Sequence, residues 1–295
     1  MTTRDNYPPA TWPALPTIEL PSALDFLKLK NFPLKVYPAV YDRPKLQNDT
    51  LYIHGPGWRK SSASFDVDCL QIQARSMALF LCTCYEVYNG NEPLASPSGK
   101  LPFLATVTGA IYDSDRILQW VDEMDKAKKL TSTADQEQAK AFIALARTKL
   151  HAAWLFSTWL EPLNYSEYTA NAYFSHVPTP VNKLLAYQKQ NQVTQSLLTD
   201  RDILVREEVY HDAAQALEAL STKLGDDKYF FGSTEPTWID AVIFSYLHSI
   251  MSYPTIPGST LGDEEKKQAG ELKTLVRKHE NLVQYAKNIY EAWLK

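Results

Sequence analysis

One ten-residue stretch constrains this chain more than any other. Phe231-Gly232-Ser233-Thr234-Glu235-Pro236-Thr237-Trp238-Ile239-Asp240 carries a loop with glycine and proline straight into an apolar segment. Thr237 is a helix-capping residue type, because its side-chain oxygen accepts from an unpaired N–H of the first turn. Asp240, three residues on, returns a bond to the Thr237 N–H, so the pair reads as a capping box. Downstream, Ile239, Val242, Ile243, Tyr246, Leu247 and Ile250 recur at i, i+3, i+4, i+7, i+8 and i+11. That spacing predicts a helix buried in the core. Thr237 and Asp240 are therefore read as structural residues, whose loss costs on the order of 1 kcal/mol or more.

The same helical character extends over residues 131–295. Ser132-Thr133-Ala134-Asp135 is a second capping-box candidate, with Asp in place of the usual Glu. It opens an Ala/Leu-rich helix running to about Glu161. The stretch Asn164 to Pro180 is aromatic and polar and is broken by Pro178 and Pro180. Asp202 to Leu224 reads as a helix with Leu217, Leu220 and Leu224 in register, ended by Gly225 at a C-cap. A last helix runs from about Glu280 through Leu282, Val283, Ala286, Ile289 and Trp293.

Residues 50–130 alternate strand and helix signals. Leu51-Tyr52-Ile53 is a strand stopped by Gly55-Pro56-Gly57. Asp66 or Asp68 starts a helix with Leu70, Ala74, Met77 and Leu81 on one face. Tyr85 to Tyr88 is a second strand, and Leu101 to Val107 with Gly109 to Tyr112 forms a hairpin. Ser114 then caps a helix with Ile117, Leu118, Val121 and Met124 inward. The β-α-β-β-β-α order is that of a thioredoxin-like sheet.

Residues 1–49 form a proline-rich arm. They hold eight prolines, from Pro8 to Pro44, and no glycine, which favours extended and polyproline-like backbone. Trp12, Leu15, Ile18 and Leu20 are among many large apolar residues there, more than a disordered tail carries. These four are read as anchors on a partner protein, against the plainer reading of packing on the chain's own domain.

Composition excludes several functions. The net charge of −4 argues against bulk phosphate binding, so no nucleic-acid partner is expected. The cysteines Cys69, Cys82 and Cys84 form no disulfide framework, and Cys82-Thr83-Cys84 lacks the spacing of zinc or redox pairs. The histidines are scattered, and there is no Gly-rich phosphate loop. No metal and no cofactor is expected. No segment reaches the ~18 apolar residues of a membrane helix. The start lacks a targeting presequence and the end lacks a hydrophobic tail, so attachment to a membrane is expected only through partners.

Gly99-Lys100-Leu101-Pro102-Phe103-Leu104 lies just before the hairpin. In thioredoxin-like folds a proline here is cis, an isomer that costs an X-Pro bond only about 0.5–1 kcal/mol. Together with the loop before the Thr237 box, it gives the chain a resemblance to glutathione transferases: an α+β fold, with an N-terminal thioredoxin-like domain and an all-helical C-terminal domain. That resemblance implies vestigial glutathione-site positions at Leu101, Pro102, Asp113 and Ser114. Ser114 is equally the cap that any helix wants. In the enzymes, a Tyr, Ser or Cys after the first strand activates the thiol. Here the stretch is His54-Gly55-Pro56-Gly57-Trp58-Arg59-Lys60-Ser61-Ser62, where only Ser61, Ser62 and the nearby Ser64 are open to recruitment. A fold does not fix a function, and no catalytic residue is assigned; a glutathione-dependent transferase stands as the alternative reading.

A more specific resemblance rests on Trp58, Ser64 to Leu70, and Ser96 to Pro102, which look like the N-terminal domain of the metaxins. Leu220 to Gly225, Tyr229 to Gly232, Ile239 to Ala241 and Leu275 to Leu282 resemble their C-terminal signatures. The similarity runs from about Leu51 onward, outside the arm. It implies a subunit of the fungal mitochondrial sorting and assembly machinery. Such a subunit would sit peripherally on the cytosolic face of the outer membrane. Its implied partners are the β-barrel insertase, a second metaxin-like subunit and barrel precursors, whose β-signal it would help to recognise. One fungal relative has a C-terminal anchor, and this chain resembles the other.

Overall fold

The computed structural model describes residues 46–78, 85–123, 130, 132–199, 201–255 and 263–294. The first part is a four-stranded sheet in the order β2-β1-β3-β4. Strand β1 (Asp49–Ile53) pairs in parallel with β2 (Tyr85–Asn89) and antiparallel with β3 (Phe103–Ala105), which pairs antiparallel with β4 (Ile111–Asp113). Helix α1 (Val67–Ala78) makes the parallel crossover, and α2 (Ser114–Glu123) follows β4. Leu51, Ile53, Phe103, Leu104, Cys69, Ile72 and Ile117 form one apolar cluster. Each large member contributes about 1.5–3 kcal/mol by leaving water.

Asp66 starts α1, its Oδ1 accepting from the Cys69 N–H at 2.9 Å. Leu70 and Ala74 of the expected face are buried, whereas Leu81 and Met124 lie outside the described residues. The capping of α2 corrects the expectation. Asp113 Oδ1 accepts from the Arg116 N–H at 3.2 Å, and Ser114 is the first residue of the helix. A carboxylate fills the role better here, because it also carries negative charge to the positive end of the helix dipole.

The helical part begins at α3 (Thr133–Leu145), where Ser132 Oγ accepts from the Asp135 N–H at 3.4 Å. From there the chain stays helical to Leu160, but it widens twice. π-type turns at Ala146–Leu150 and Phe156–Leu160 flank α4 (His151–Leu155). A third follows the short α5 (Pro162–Asn164) at Tyr165–Thr169 and leads into α6 (Ala170–Phe174). The aromatic stretch is thus helical up to Phe174. Phe156, Ser157, Thr158 and Trp159 are buried in succession, as is Trp154, so this stretch is enclosed on all sides.

Helix α7 (Val181–Leu198) has no counterpart in the sequence reading. Its buried residues, Ala186, Val193 and Leu197, recur at i, i+7 and i+11 on one face, while Leu184 and Tyr187 stand in solvent. Helix α8 (Arg206–Leu224) starts four residues after the expected Asp202, because Val205 is extended at φ −100° and ψ 121°. It ends at Gly225, whose φ of +55° is left-handed. Helix α9 (Trp238–Ser252) is the central element, buried on every side. It packs against α1 and against α12 (Glu280–Trp293), while α10 (Asp263–Ala269) and α11 (Glu271–Arg277) complete the layer.

Candidate functional site

The loop after β1 is where the fold resemblance locates chemistry, and its serine hydroxyls are engaged in hydrogen bonds. Gly57 makes a close turn: its N–H donates to the Ser61 carbonyl at 3.0 Å, and any Cβ there would overlap the Ala63 carbonyl oxygen. Arg59 and Lys60 follow at φ of 58° and 62°, a left-handed pair that costs non-glycine residues backbone energy. The serines hold this turn down. Ser61 Oγ lies 3.1 Å from the Tyr290 hydroxyl, and Ser62 Oγ donates to the Leu294 carbonyl at 2.6 Å. Ser64 Oγ donates to the His54 carbonyl and accepts from the Asp66 N–H at 3.1 Å. Each hydroxyl open to recruitment is spent on holding the sheet part to the last helix or on the loop itself.

Behind the loop lies a small polar network that the sequence did not reveal. Asp66 Oδ2 accepts from the Tyr173 hydroxyl at 2.7 Å, 107 residues away. The His54 ring packs edge-on against Tyr173 at 5.0 Å, and the His54 N–H points at Cys69 Sγ, 3.4 Å away. Burial holds His54 below the ordinary histidine value, so the ring is neutral at pH 7. Burial also opposes the Asp66 carboxylate, but His54 and the donors Cys69 N–H and Tyr173 O–H outweigh it and leave its pKa lowered. The Cys69 thiol is pushed well up, first by burial and then by Asp66. The Cys69 thiol is thereby held in its protonated, unreactive form, and both Asp66 carboxylate oxygens already accept hydrogen bonds. His54, Asp66 and Cys69 are all named in the sequence reading, Asp66 as a helix start, but their meeting with Tyr173 is not.

Aromatic rings fill the space between the sheet part and the helices. Trp58 packs against Tyr253 at 5.1 Å, Phe65 at 5.7 Å and Tyr168 at 6.1 Å, and Tyr253 packs edge-on against Trp154. A second joint lies between α1 and α9. The Trp238 ring has the Arg75 guanidinium 4.5 Å from its centroid and that of Arg147 at 5.5 Å.

The residues singled out in sequence fall in three places. Leu101 and Pro102 are buried, and the peptide between them is cis. Asp113 and Ser114 are half-buried at the start of α2, with the Asp113 carboxylate already bonded to the Arg116 N–H. Thr237 and Asp240 form a capping box. Asp240 does more than cap. Its Oδ2 accepts from the Thr237 N–H at 2.8 Å and the Thr237 hydroxyl at 2.9 Å. Its Oδ1 accepts from the Phe230 N–H at 3.0 Å and the Tyr285 hydroxyl at 2.9 Å. Trp12, Leu15, Ile18 and Leu20 lie outside the described residues.

The signature segments of the C-terminal part meet in space. Asn281 Nδ2 donates to the Ser221 carbonyl at 2.9 Å and the Gly225 carbonyl at 3.1 Å, and Ser221 Oγ donates to Asn281 Oδ1 at 2.7 Å. One asparagine of α12 thereby ties itself to the end of α8, adding a second donor to the Ser221 carbonyl, which already accepts from the Gly225 N–H at 3.0 Å. Tyr285, one turn further along α12, reaches Asp240. The segments around residues 220–225, 229–240 and 275–285 are thus one packed joint.

Comparison with known proteins agrees with this assembly. A family profile described as an outer mitochondrial membrane transport complex protein matches residues 69–190. The profile of the glutathione S-transferase C-terminal domain matches residues 213–289. Mouse Metaxin-2 is 30% identical over 217 residues, a match covering 71% of this chain and 77% of the relative. Human Metaxin-2 is 29% identical over 215 residues, covering 71% and 75%. Metaxin-1 of Macaca fascicularis is 28% identical over 248 residues, covering 81% and 73%. Among solved structures, a glutathione transferase of Phanerochaete chrysosporium superposes with a TM-score of 0.48 at 14% identity, covering 80% of this chain and 98% of that one. The fold is that of the glutathione transferases, and by its identity to Metaxin-2 over most of both chains the protein belongs to the metaxin family.

Proposed function

We propose that this chain is a non-catalytic subunit of the machinery that inserts β-barrel proteins into the mitochondrial outer membrane. In this reading it sits on the cytosolic face, bound to the barrel insertase and to a second metaxin-like subunit, and helps to recognise the β-signal of arriving precursors. The observation that carries the reading is the metaxin identity, joined to a loop whose three serines are all committed to structural bonds. The match to an outer-membrane transport component supports the location. Among the described residues no helix is long and apolar enough to cross a membrane, and in this reading partners hold the chain there.

Physical chemistry gives the task its shape. A barrel strand outside its barrel has unpaired backbone groups, which cannot enter lipid unsatisfied. A globular subunit beside the insertase can hold such a strand by backbone pairing and apolar contact, with no covalent step. The arm belongs to the same reading: its segment from Trp12 to Leu20 docks on the barrel subunit or the second metaxin-like subunit. Prolines reduce the entropy lost on docking, and large aromatic side chains suit interface pockets.

Affinity purification of the tagged full chain from mitochondria tests the reading. Co-purification of a barrel-forming insertase is expected, and its absence overturns the proposal. Deleting residues 1–20 is expected to leave the fold intact and weaken the co-purification. Equal recovery of the partners would mean that the arm has no docking role.

A further inference from the structure

Val87, Tyr88 and Leu94 place three large apolar side chains in solvent within eight consecutive positions, at 36%, 44% and 77% exposure. Val87 and Tyr88 lie on β2, the outer strand of the sheet, whose pairing among the described residues is with β1 alone, and Leu94 follows in the short helical turn Pro93–Ala95. The Gly90 N–H donates to the Ile53 carbonyl at 3.1 Å, which sets the phase of that pairing. With a period of two, Glu86 and Tyr88 turn their main-chain groups toward β1, and Val87 and Asn89 turn theirs outward.

Proteins usually protect such an edge with lysine, proline or a bulge. The sequence Tyr85-Glu86-Val87-Tyr88-Asn89 has no lysine and no proline. Its one charged residue, Glu86, is occupied by Asn48, whose Nδ2 donates to Oε1 at 2.9 Å. On one face of the sheet Tyr88 continues an aromatic row: Tyr52 lies 5.1 Å from Tyr88 and stacks on Phe103 at 4.4 Å. The row passes from the fully buried Phe103 to the exposed Tyr88, so it ends open at the edge.

We infer that the outer edge of β2 is a strand-addition site, where an extended segment of a barrel precursor pairs beside Val87 and Asn89 with its apolar side chains against Tyr88. A helix cannot use this edge, because its own backbone groups are already paired; an extended backbone can. A barrel strand fits further, because it alternates apolar and polar residues and offers one apolar side to the aromatic row. The inference rests on the precursor-binding part of the proposed function.

The test uses the full chain and a fluorescent peptide copying the last strand of a mitochondrial outer-membrane barrel, with a peptide of the same composition and scrambled alternation as control. Val87→Pro removes an outward N–H while leaving the β1 ladder intact. Binding weakened at least tenfold in this variant, with an unchanged far-UV spectrum and weak binding of the scrambled peptide, is expected. A benzophenone side chain at position 88 is expected to cross-link the strand peptide, and one at the exposed position 187 on α7 is not. Equal binding by wild type and Val87→Pro, or cross-linking from 187 alone, overturns the edge site. If Val87→Pro fails to fold, the cross-linking pair decides. If the wild-type chain co-purifies with the insertase but binds no strand peptide, the edge inference fails while the subunit assignment stands; if it does neither, both fail.

Discussion

Replacing Asp240 by alanine exposes what the central box contributes. The residue is fully buried, and four donors converge on its carboxylate: the N–H groups of Phe230 and Thr237 and the hydroxyls of Thr237 and Tyr285. Burial still raises its pKa against these donors, so the negative charge itself is not the source of stability. The cost of Asp240→Ala comes from the donors left behind. Hydroxyls can turn to other acceptors, and the Tyr285 hydroxyl already lies 3.4 Å from the Asp240 carbonyl. The two main-chain N–H groups cannot turn. At about 1–3 kcal/mol for each orphaned buried group, they alone cost about 2–6 kcal/mol.

In a chain of this size that loss lowers the melting temperature by roughly 10 °C, taking about 2–4 °C per kcal/mol. Tyr285→Phe and Thr237→Ala each remove one hydroxyl and are expected to cost about 1 kcal/mol. Thermal unfolding followed by far-UV circular dichroism gives all three values. A melting temperature for Asp240→Ala within 2 °C of wild type, or equal losses in all three variants, would refute the reasoning.

Three further outcomes follow from other sites. Burial lowers the pKa of His248 to about 4, so the folded state favours its neutral ring, stacked on Tyr290 at 4.8 Å. That contribution is complete above the unfolded value of 6.5 and fades as pH falls from 6.5 toward 4, reaching at most about 3 kcal/mol. Urea midpoints of wild type and His248→Phe should diverge over this window, and parallel pH profiles would contradict it. Trp238→Ala removes the ring between Arg75 and Arg147 and is expected to cost about 2–4 kcal/mol, with Trp238→Phe losing less; an unchanged urea midpoint would show that the stack is idle. The chain is expected to show no glutathione conjugation with an aromatic electrophile, and turnover that disappears in Ser61→Ala or Ser62→Ala would overturn the structural role given to those serines.

What the sequence revealed is what local pattern encodes. Helix α9 is apolar all round and begins with a box closed over three residues, so both its existence and its burial follow from spacing. Helix α7 buries only Ala186, Val193 and Leu197 on its inner face while Leu184 and Tyr187 are exposed on the other, so its apolar residues show no clean helical period. The choice between Asp113 and Ser114 as the cap of α2 turned on one residue of register, which sequence leaves open because both types cap well. The site partners were the least visible. Tyr173 meets Asp66 across 107 residues, and Tyr290 meets Ser61 across 229. No periodicity links such pairs, because they exist only after the two parts have packed.

This packing explains how a transferase-like fold can serve a binding task. A catalytic hydroxyl must be held from one side and left free on the other, where substrate arrives. In this chain Ser61 and Ser62 point toward the end of α12, and Tyr290 and the Leu294 carbonyl meet them there. Trp58 presses into Tyr253, Tyr168 and Phe65 beside them. Rings and hydrogen bonds thus tie the sheet part to the helices at this loop. The Trp238 stack acts in the same direction at the opposite end of α9. A sheet fixed against its helical partner in this way presents its outer strand as a stationary edge. A partner strand pairing there loses little to rearrangement of the protein, so more of its backbone bonding appears as affinity.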